Sequence, residues 1–352
     1  MSRNAKTPWT KVAAQLALTI PVGRFYPAVT GWVDGFGRTA NPRWAVAFSG
    51  GADSLALLLL LWAHWPERRS KLVALHFNHR LRGRASATDA VFCRRVCAAL
   101  GVTFLSAEWK QARKGASEAE AREARFAFFR QVLARRRIKA LWLGHQQDDI
   151  AETALMRLAR GSGTAGLAAP RPLQVMTGGR VHVRPLLTLS KKTLEQALRK
   201  AGAVWREDAS NEKRDYLRNR IRHEVLPGWI AASRERDALA GVALSRELLE
   251  EDDDALEAWL DALGPLDRER RLDVKGLEGK PRAIVRRALY RWLALQKDTG
   301  DLSRQGFILL LAAVEQGKTT RFSLGRRGFA VIRKGLLFFE KAPRRGSIKP
   351  RK

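Results

Sequence analysis

Between Trp44 and Arg160 the chain alternates short apolar runs with longer amphipathic stretches, and this alternation limits the fold more than any other feature. Trp44–Phe48, Leu72–Phe77, Val102–Ser106 and Ala140–Gly144 read as buried strands. Helices are expected at 54–63 and 87–100, the second stopped by Gly101. Ser117 and Glu120 form a capping box that opens a third helix running to about Arg137, and a fourth spans about 149–160. Repeated strand–helix units need right-handed crossovers, which give a parallel sheet covered by helices on both faces. A strand at Val181–Val183 and a helix at Lys191–Ala201, ended by Gly202, extend the pattern.

At 352 residues the chain is long enough for two domains. Residues 1–43 read as a lead-in with one weak helix, followed by the breakers Gly31, Gly35, Gly37 and Pro42. Val12–Ile20 follows Lys6 and Lys11 in the manner of a signal peptide, but Gln15 interrupts it and no small-x-small cleavage site follows, so it reads as a short helix. Residues 44–228 form the α/β domain, with Gly161–Gly166 as a loop, and Pro227–Gly228 marks its boundary. Residues 229–340 are mostly helical, carry an acidic surface run at Glu250–Asp254, and end in two short strands turned around Arg326–Gly328. Residues 341–352 make a basic, disordered tail.

Lys and Arg number 65 against 35 Asp and Glu, a net charge of +30 that favours a polyanionic partner without separating DNA, RNA and a membrane surface. The longest apolar run, Leu55–Ala63, is too short to span a bilayer. Two cysteines exclude a disulfide scaffold and fit a reducing, cytoplasmic setting.

The first strand runs directly into Ser49-Gly50-Gly51-Ala52-Asp53-Ser54 and then a helix. Adjacent glycines allow positive φ and close backbone approach, the serines offer hydroxyls, and a helix N-terminus offers free N–H groups, so this junction suits phosphates. It is neither a Walker A sequence nor a G-x-G-x-x-G fingerprint. Gly317-Lys318-Thr319-Thr320 imitates the end of a Walker A, but Ala312 stands where the leading Gly belongs, and it reads as a turn.

The second strand ends in His76-Phe77-Asn78-His79-Arg80-Leu81-Arg82-Gly83, where alternation puts His76 and Asn78 on one face. The fourth ends in Gly144-His145-Gln146-Gln147-Asp148-Asp149-Ile150-Ala151-Glu152-Thr153. Asp149 and Glu152 share a helix face. Such carboxylates can hold Mg²⁺, attract an ammonium group, or simply complement the helix dipole. Downstream lie Arg160-Gly161-Ser162-Gly163-Thr164-Ala165-Gly166-Leu167, Arg184-Pro185-Leu186-Leu187, and Asp208-Ala209-Ser210-Asn211 followed by Tyr216, Arg218, Asn219, Arg220, Ile221 and Arg222.

The hexapeptide resembles the pyrophosphatase loop of the PP-loop ATP pyrophosphatases, and the ordered set of motifs over about residues 44–227 resembles the tRNA(Ile)-lysidine synthetase family. The resemblance implies a Rossmann-like, adenine nucleotide alpha hydrolase-like fold and a cytoplasmic ligase. In that family ATP adenylylates the C2 oxygen of the wobble cytidine of a CAU-anticodon tRNA(Ile) and pyrophosphate leaves. The ε-amine of free L-lysine then attacks C2 and expels AMP. The implied partners are tRNA(Ile), L-lysine, ATP and Mg²⁺, with a homodimer as a further expectation and no membrane.

By resemblance Ser49, Gly50, Gly51, Ala52, Asp53 and Ser54 bind the phosphates, and His76 and Asn78 lie on the adenine side. Asp53, His145, Asp149 and Glu152 are catalytic, Asp149 and Glu152 also receive lysine, and Asp53 and Asp148 hold Mg²⁺. Arg125, Arg218, Arg220 and Arg222 contact tRNA. Glu123 and Arg125 match a family helix near the tRNA and nucleotide, where Phe126 replaces a frequent Tyr. The family usually has two histidines after the glycine. Here Gln146 follows His145, and Gln does not titrate, which calls into question an acid–base role for that position. The general base for lysine is unassigned.

Cations at Arg214, Arg218, Arg220 and Arg222, and farther on at Arg286, Arg287, Arg326, Arg327, Arg344 and Arg345, are expected to share RNA phosphates. Two rival readings stand. A PP-loop tRNA thiolase would need a sulfur carrier, and Cys93 and Cys97, at i and i+4 on an amphipathic helix, read as small buried hydrophobes. A non-catalytic RNA-binding module would explain the charge but not the phosphate loop with its carboxylates.

Overall fold

The computed structural model describes residues 7–36, 42–79, 84–109, 117–176, 178–207, 216–296, 302–325 and 328–342. It divides into two compact units, Met1–Glu250 and Glu251–Lys352.

The first unit is built on a six-stranded sheet of order β3-β2-β1-β4-β6-β5. Its strands are β1 (Trp44–Ala47), β2 (Leu72–Asn78), β3 (Thr103–Glu108), β4 (Ala140–Trp142), β5 (Leu173–Met176) and β6 (Arg180–Val183). The first four and β6 are parallel. Alternation along each strand sends side chains to opposite faces. Trp44, Val46, Leu72, Ala74, Ala140 and Trp142 join one core with α3 (Ala52–His64), whose buried leucines are fully covered. Ala45, Val73, Leu75 and Leu141 join the other, under Phe129 and Leu133 of α5 (Glu118–Arg135). The capping box of Ser117 and Glu120 opens α5 as expected.

Chain order moves from β1 outward to β2 and β3, then returns across β1 to β4. The strand order therefore reverses between β1 and β4, and a crevice opens at their carboxyl ends, where open α/β sheets take ligands. The loops leaving β1 and β4 must face each other across it.

Three expectations for this unit need correction. The sheet is not wholly parallel, because β5 pairs antiparallel with β6 through a turn at Gly178 and Gly179, both at positive φ. This edge strand has four residues and is largely exposed, and Gln174 interrupts its apolar residues, so it is too short and broken a run to stand out in the sequence. The lead-in holds two helices, α1 (Trp9–Thr19) and α2 (Pro27–Phe36), with Gly31 and Gly35 inside the second. Burial of Val29 and Val33 on one face outweighs the cost of about 1 kcal/mol for each helical glycine. The loop at 161–166 gives way to a helical turn, α7 (Thr164–Leu167).

Beyond α6 (Gln147–Leu158) and α8 (Lys191–Lys200) the chain passes through α9 (Leu217–Arg220), a π-turn at Ile221–Val225, and α10 (Leu226–Ala232). Pro227 lies in the first turn of α10, where its missing N–H costs nothing. The first unit runs on to Glu250, inside α11 (Ala238–Leu263), where Arg246 donates to the Tyr26 hydroxyl at 2.7 Å.

The second unit packs α12 (Arg282–Leu295) and α13 (Arg304–Glu315) with a four-stranded antiparallel sheet of order β7-β10-β9-β8. Its strands are β7 (Leu272–Asp273), β8 (Thr320–Ser323), β9 (Gly328–Arg333) and β10 (Leu336–Lys341). Two strands were expected after 320 and three are found. Lys334 and Gly335, both at positive φ, fold what reads as one run into the β9–β10 hairpin. Gly317, at positive φ, ends α13, consistent with a turn there.

Candidate active site

The loop after β1 braces itself. Ser54 Oγ donates to the Gly51 carbonyl at 3.0 Å, which leaves Ser49 Oγ to donate to Ser54 Oγ at 3.0 Å and to accept from Gly51 N at 3.3 Å. Gly50 sits at φ +93°, and a Cβ there would lie 3.1 Å from Cys93 Sγ. The N-cap of α3 is Gly51, with no side chain capping it, so the first-turn N–H groups stand open for an anion.

The segment after β4 meets this loop directly. A Cβ on Gly144 would lie 2.9 Å from the Asp53 carbonyl oxygen, so only glycine lets the two carboxyl ends approach. Asp53 is pushed from 3.8 up to about 7, first by burial and then by repulsion from Asp149, with Lys191 and Arg222 opposing and Asp148 adding. Its Oδ1 is buried and has no hydrogen-bond partner. Asp148 is likewise raised by burial, against a hydrogen bond of 2.8 Å from Lys191 N to its Oδ2.

Gln146 is buried and caps α6, its Oε1 accepting from Asp148 N at 2.5 Å while Asp149 Oδ2 accepts from Gln146 N at 3.0 Å. The residue standing for the family's second histidine thus performs a neutral structural task that amide chemistry supplies without titrating.

Asp149 and Glu152 share a helix face as expected, and two arginines cover them. Arg218 donates from Nη2 to Asp149 Oδ1 at 2.5 Å and from Nε to Glu152 Oε2 at 2.7 Å. Arg222 donates to Glu152 from Nε at 2.5 Å and from Nη2 at 3.0 Å. Glu152 is fully buried. The quartet balances two negative charges with two positive ones. Burial works against the Arg218 charge, yet Asp149 and Glu152 hold it more firmly protonated than usual. The guanidinium groups of Arg218 and Arg222 are thus engaged by Asp149 and Glu152, while Arg220, between them, is exposed. Arg222, Asp148, Glu152 and Lys191 line a cavity of about 460 Å³ with His223 and an apolar wall of Leu226, Pro227, Ile230 and Ala231.

His76 is buried, and its Nδ1 hydrogen-bonds the Phe48 carbonyl at 3.0 Å across from β2 to the end of β1. Its Nε2 is buried without a partner, and burial lowers its pKa. Asn78, also buried, ends the same strand. Arg125 on α5 lies over the Phe126 ring, with Nε buried and unpartnered and its pKa pushed down to about 10 by burial, Arg122 and Arg218. His145 is held well below its usual pKa by burial and the charge of Arg184.

Two contributors, Arg206 and Lys191, escaped the sequence reading, and a third, Arg184, was read only as part of a motif with no role. Arg184 donates from Nε to His145 Nδ1 at 3.1 Å. Arg206 holds the loop, its backbone N donating to the Gly50 carbonyl at 3.0 Å and its Nε to Asp89 at 2.8 Å. Lys191 begins α8, where a cation opposes the helix dipole; that misfit was the available signal. Residues 80–83 and 208–215, which carry parts of two quoted motifs and Arg214, lie outside the described residues, as do Arg326, Arg327, Arg344 and Arg345. Cys93 and Cys97 are fully buried, and burial raises both thiols, Cys97 to about 12. They serve as core residues.

A family model described as a PP-loop domain matches residues 30–229. A Solibacter usitatus protein named tRNA(Ile)-lysidine synthase is 36% identical over 319 residues, 86% of this chain and 69% of its own length. The chain belongs to the tRNA(Ile)-lysidine synthase family of PP-loop proteins. Relatives of the same name from Geobacter sulfurreducens and Pseudomonas syringae are 38% and 43% identical, over 75% and 54% of this chain. The chain spans 57% and 42% of those two relatives' lengths. Among solved structures, a tRNA thiolase from Methanococcus maripaludis is similar with a TM-score of 0.52 at 16% identity, covering 69% of this chain and 79% of its own. That likeness concerns the fold. No helix among the described residues is long and apolar enough to cross a membrane.

Proposed function

We propose that this chain ligates free L-lysine to C2 of the wobble cytidine of a CAU-anticodon tRNA(Ile), using ATP and releasing pyrophosphate and AMP in the cytoplasm. The observation that carries the reading is the contact between the uncapped Gly50–Gly51 loop and the carboxylate segment after β4, at the switch point of the sheet. Phosphate oxygens need N–H donors, and the first turn of α3 offers them beside the carboxylates that adenylyl transfer requires.

Mg²⁺ is implied by this chemistry, and the residues present fit it. Asp53 offers a buried oxygen with no partner, and Asp148 a carboxylate that α8 orients. Together they would hold the cation with one or two carboxylates and the substrate's own phosphates. When bound, Mg²⁺ would screen the phosphate charge. Asp53 would be ionised in that state, and Lys191 and Arg222 already favour this.

The Arg-covered pair Asp149 and Glu152 would receive the lysine ammonium from the adjoining cavity, whose apolar wall suits a methylene chain. Their charge is balanced by Arg218 and Arg222, so binding a further cation requires one arginine to shift toward an anion such as the adenylate phosphate. Arg125 and exposed Arg220 would contact the tRNA, and His76 and Asn78 the adenine.

Incorporation of radiolabelled lysine into tRNA, with and without ATP, tests the proposal. ATP-dependent label in tRNA(Ile) is expected. RNA-dependent pyrophosphate release without lysine incorporation would refute the ligase and favour another PP-loop activity.

A further inference from the structure

We propose that Arg184 is a positioning residue that locks His145 as the neutral imidazole with its proton on Nε2, making His145 a hydrogen-bond donor in the site rather than a base. A guanidinium has donors and no acceptor. Its Nε lies 3.1 Å from His145 Nδ1, so Nδ1 must present its lone pair, and the single proton of the neutral ring sits on Nε2.

The arginine itself has little freedom. It is buried, and its other donors reach the Arg171 carbonyl at 2.7 Å and Gln174 Oε1 at 3.0 Å. Gln174 belongs to β5, so the antiparallel edge hairpin aims the guanidinium at the imidazole. Pro185, next in the chain, fixes the backbone beyond.

The groups facing His145 come from three elements and share one sign: Arg184 from the end of β6, Arg122 and Arg125 from α5, and Arg218 from α9. On its own segment, Asp149 is already engaged by Gln146 N and Arg218, and Asp148 by Lys191 N. A second proton on the ring would meet this positive wall. Deprotonation of an incoming ammonium by His145 is thereby excluded, since Nε2 has no lone pair to offer. An Nε2–H donor suits an oxygen that gains negative charge, such as a phosphoryl or carbonyl oxygen during adenylylation. This catalytic consequence rests on the proposed function; the tautomer does not.

The test is nitrogen NMR of the full-length protein carrying labelled histidine, with the His145 signals assigned by their loss in His145→Gln. The expected result is a lone-pair type Nδ1 and a protonated Nε2, unchanged between about pH 6 and 8, where an ordinary histidine changes charge. A proton on Nδ1, or titration of His145 within that range, would overturn the proposal without any variant of Arg184. In Arg184→Met the tautomers should mix, and kcat for pyrophosphate release should fall about tenfold to a hundredfold with KM for ATP little changed. A mixed tautomer with unchanged kcat would overturn the positioning role. If the wild-type protein shows the locked tautomer but releases no pyrophosphate with tRNA and ATP, the functional reading fails and the tautomer stands.

Discussion

Replacing Asp53 with Asn should stabilise the empty protein while removing its activity, and the size of the effect should depend on pH. The carboxyl rises from 3.8 to about 7 in the folded chain because burial and its acidic neighbours disfavour the charge. The protonated form therefore contributes stability that is fully present below about 3.8 and is lost as the pH rises to about 7. That gap of about 3 pH units, at about 1.4 kcal/mol each, sets a ceiling of about 4 kcal/mol. Asp53 keeps some solvent exposure, so about 2 kcal/mol is the expected gain for Asn at pH 8 and almost none at pH 4. For a unit of this size the melting midpoint should rise by about 4–8 °C at the higher pH. Calorimetry at both pH values, with chelator and without nucleotide, measures it. RNA-dependent pyrophosphate release should be lost in the same variant. An equal gain at both pH values, or a loss of stability at pH 8, would show that Asp53 is not a strained carboxyl and would refute the reasoning.

The quartet predicts that Glu152→Gln costs about 3–5 kcal/mol in urea denaturation, since it removes the carboxylate that Arg222 hydrogen-bonds and leaves Arg218 with Asp149 alone; unchanged stability would mean the ion pairs are not formed in solution. In folded protein the same variant should raise KM for lysine more than it slows adenylylation. Gly144→Ala should lose about 1–3 kcal/mol and most pyrophosphate release, because its Cβ would press on the Asp53 backbone; near-normal turnover would separate the two loops functionally. Arg220→Met should make the salt dependence of tRNA binding shallower by about 0.7–0.9 in log–log slope, whereas Arg287→Met, whose guanidinium is engaged by Asp253 and Glu257, should leave it unchanged. The reverse outcome, measured by filter binding across a salt series, would place the RNA on the second unit instead.

The sequence by itself determined the parallel core and the place of the crevice. Apolar runs with alternation and capped helices are local signals, and Ser49–Ser54 and Gly144–Glu152 carry their chemistry within a few residues of a strand end. The α2 helix escaped because its two glycines advertise a break, while the burial of Val29 and Val33 that overrides them is a tertiary fact. The β5 edge escaped because an exposed strand needs only a partner, and its partner β6 supplies the hydrogen bonds.

Only the tertiary structure decided what each charged residue does. In the sequence Arg218 and Arg222 are two cations among many in a chain of net charge +30; the fold pairs them with buried Asp149 and Glu152, whose charges would be costly to leave uncompensated in a low-dielectric site. Arg184 lies 39 positions from His145 and reaches it only because β6 pairs with β4. A sequence names the donors and acceptors; which of them meet depends on strand order, and strand order depends on contacts between residues far apart in the chain.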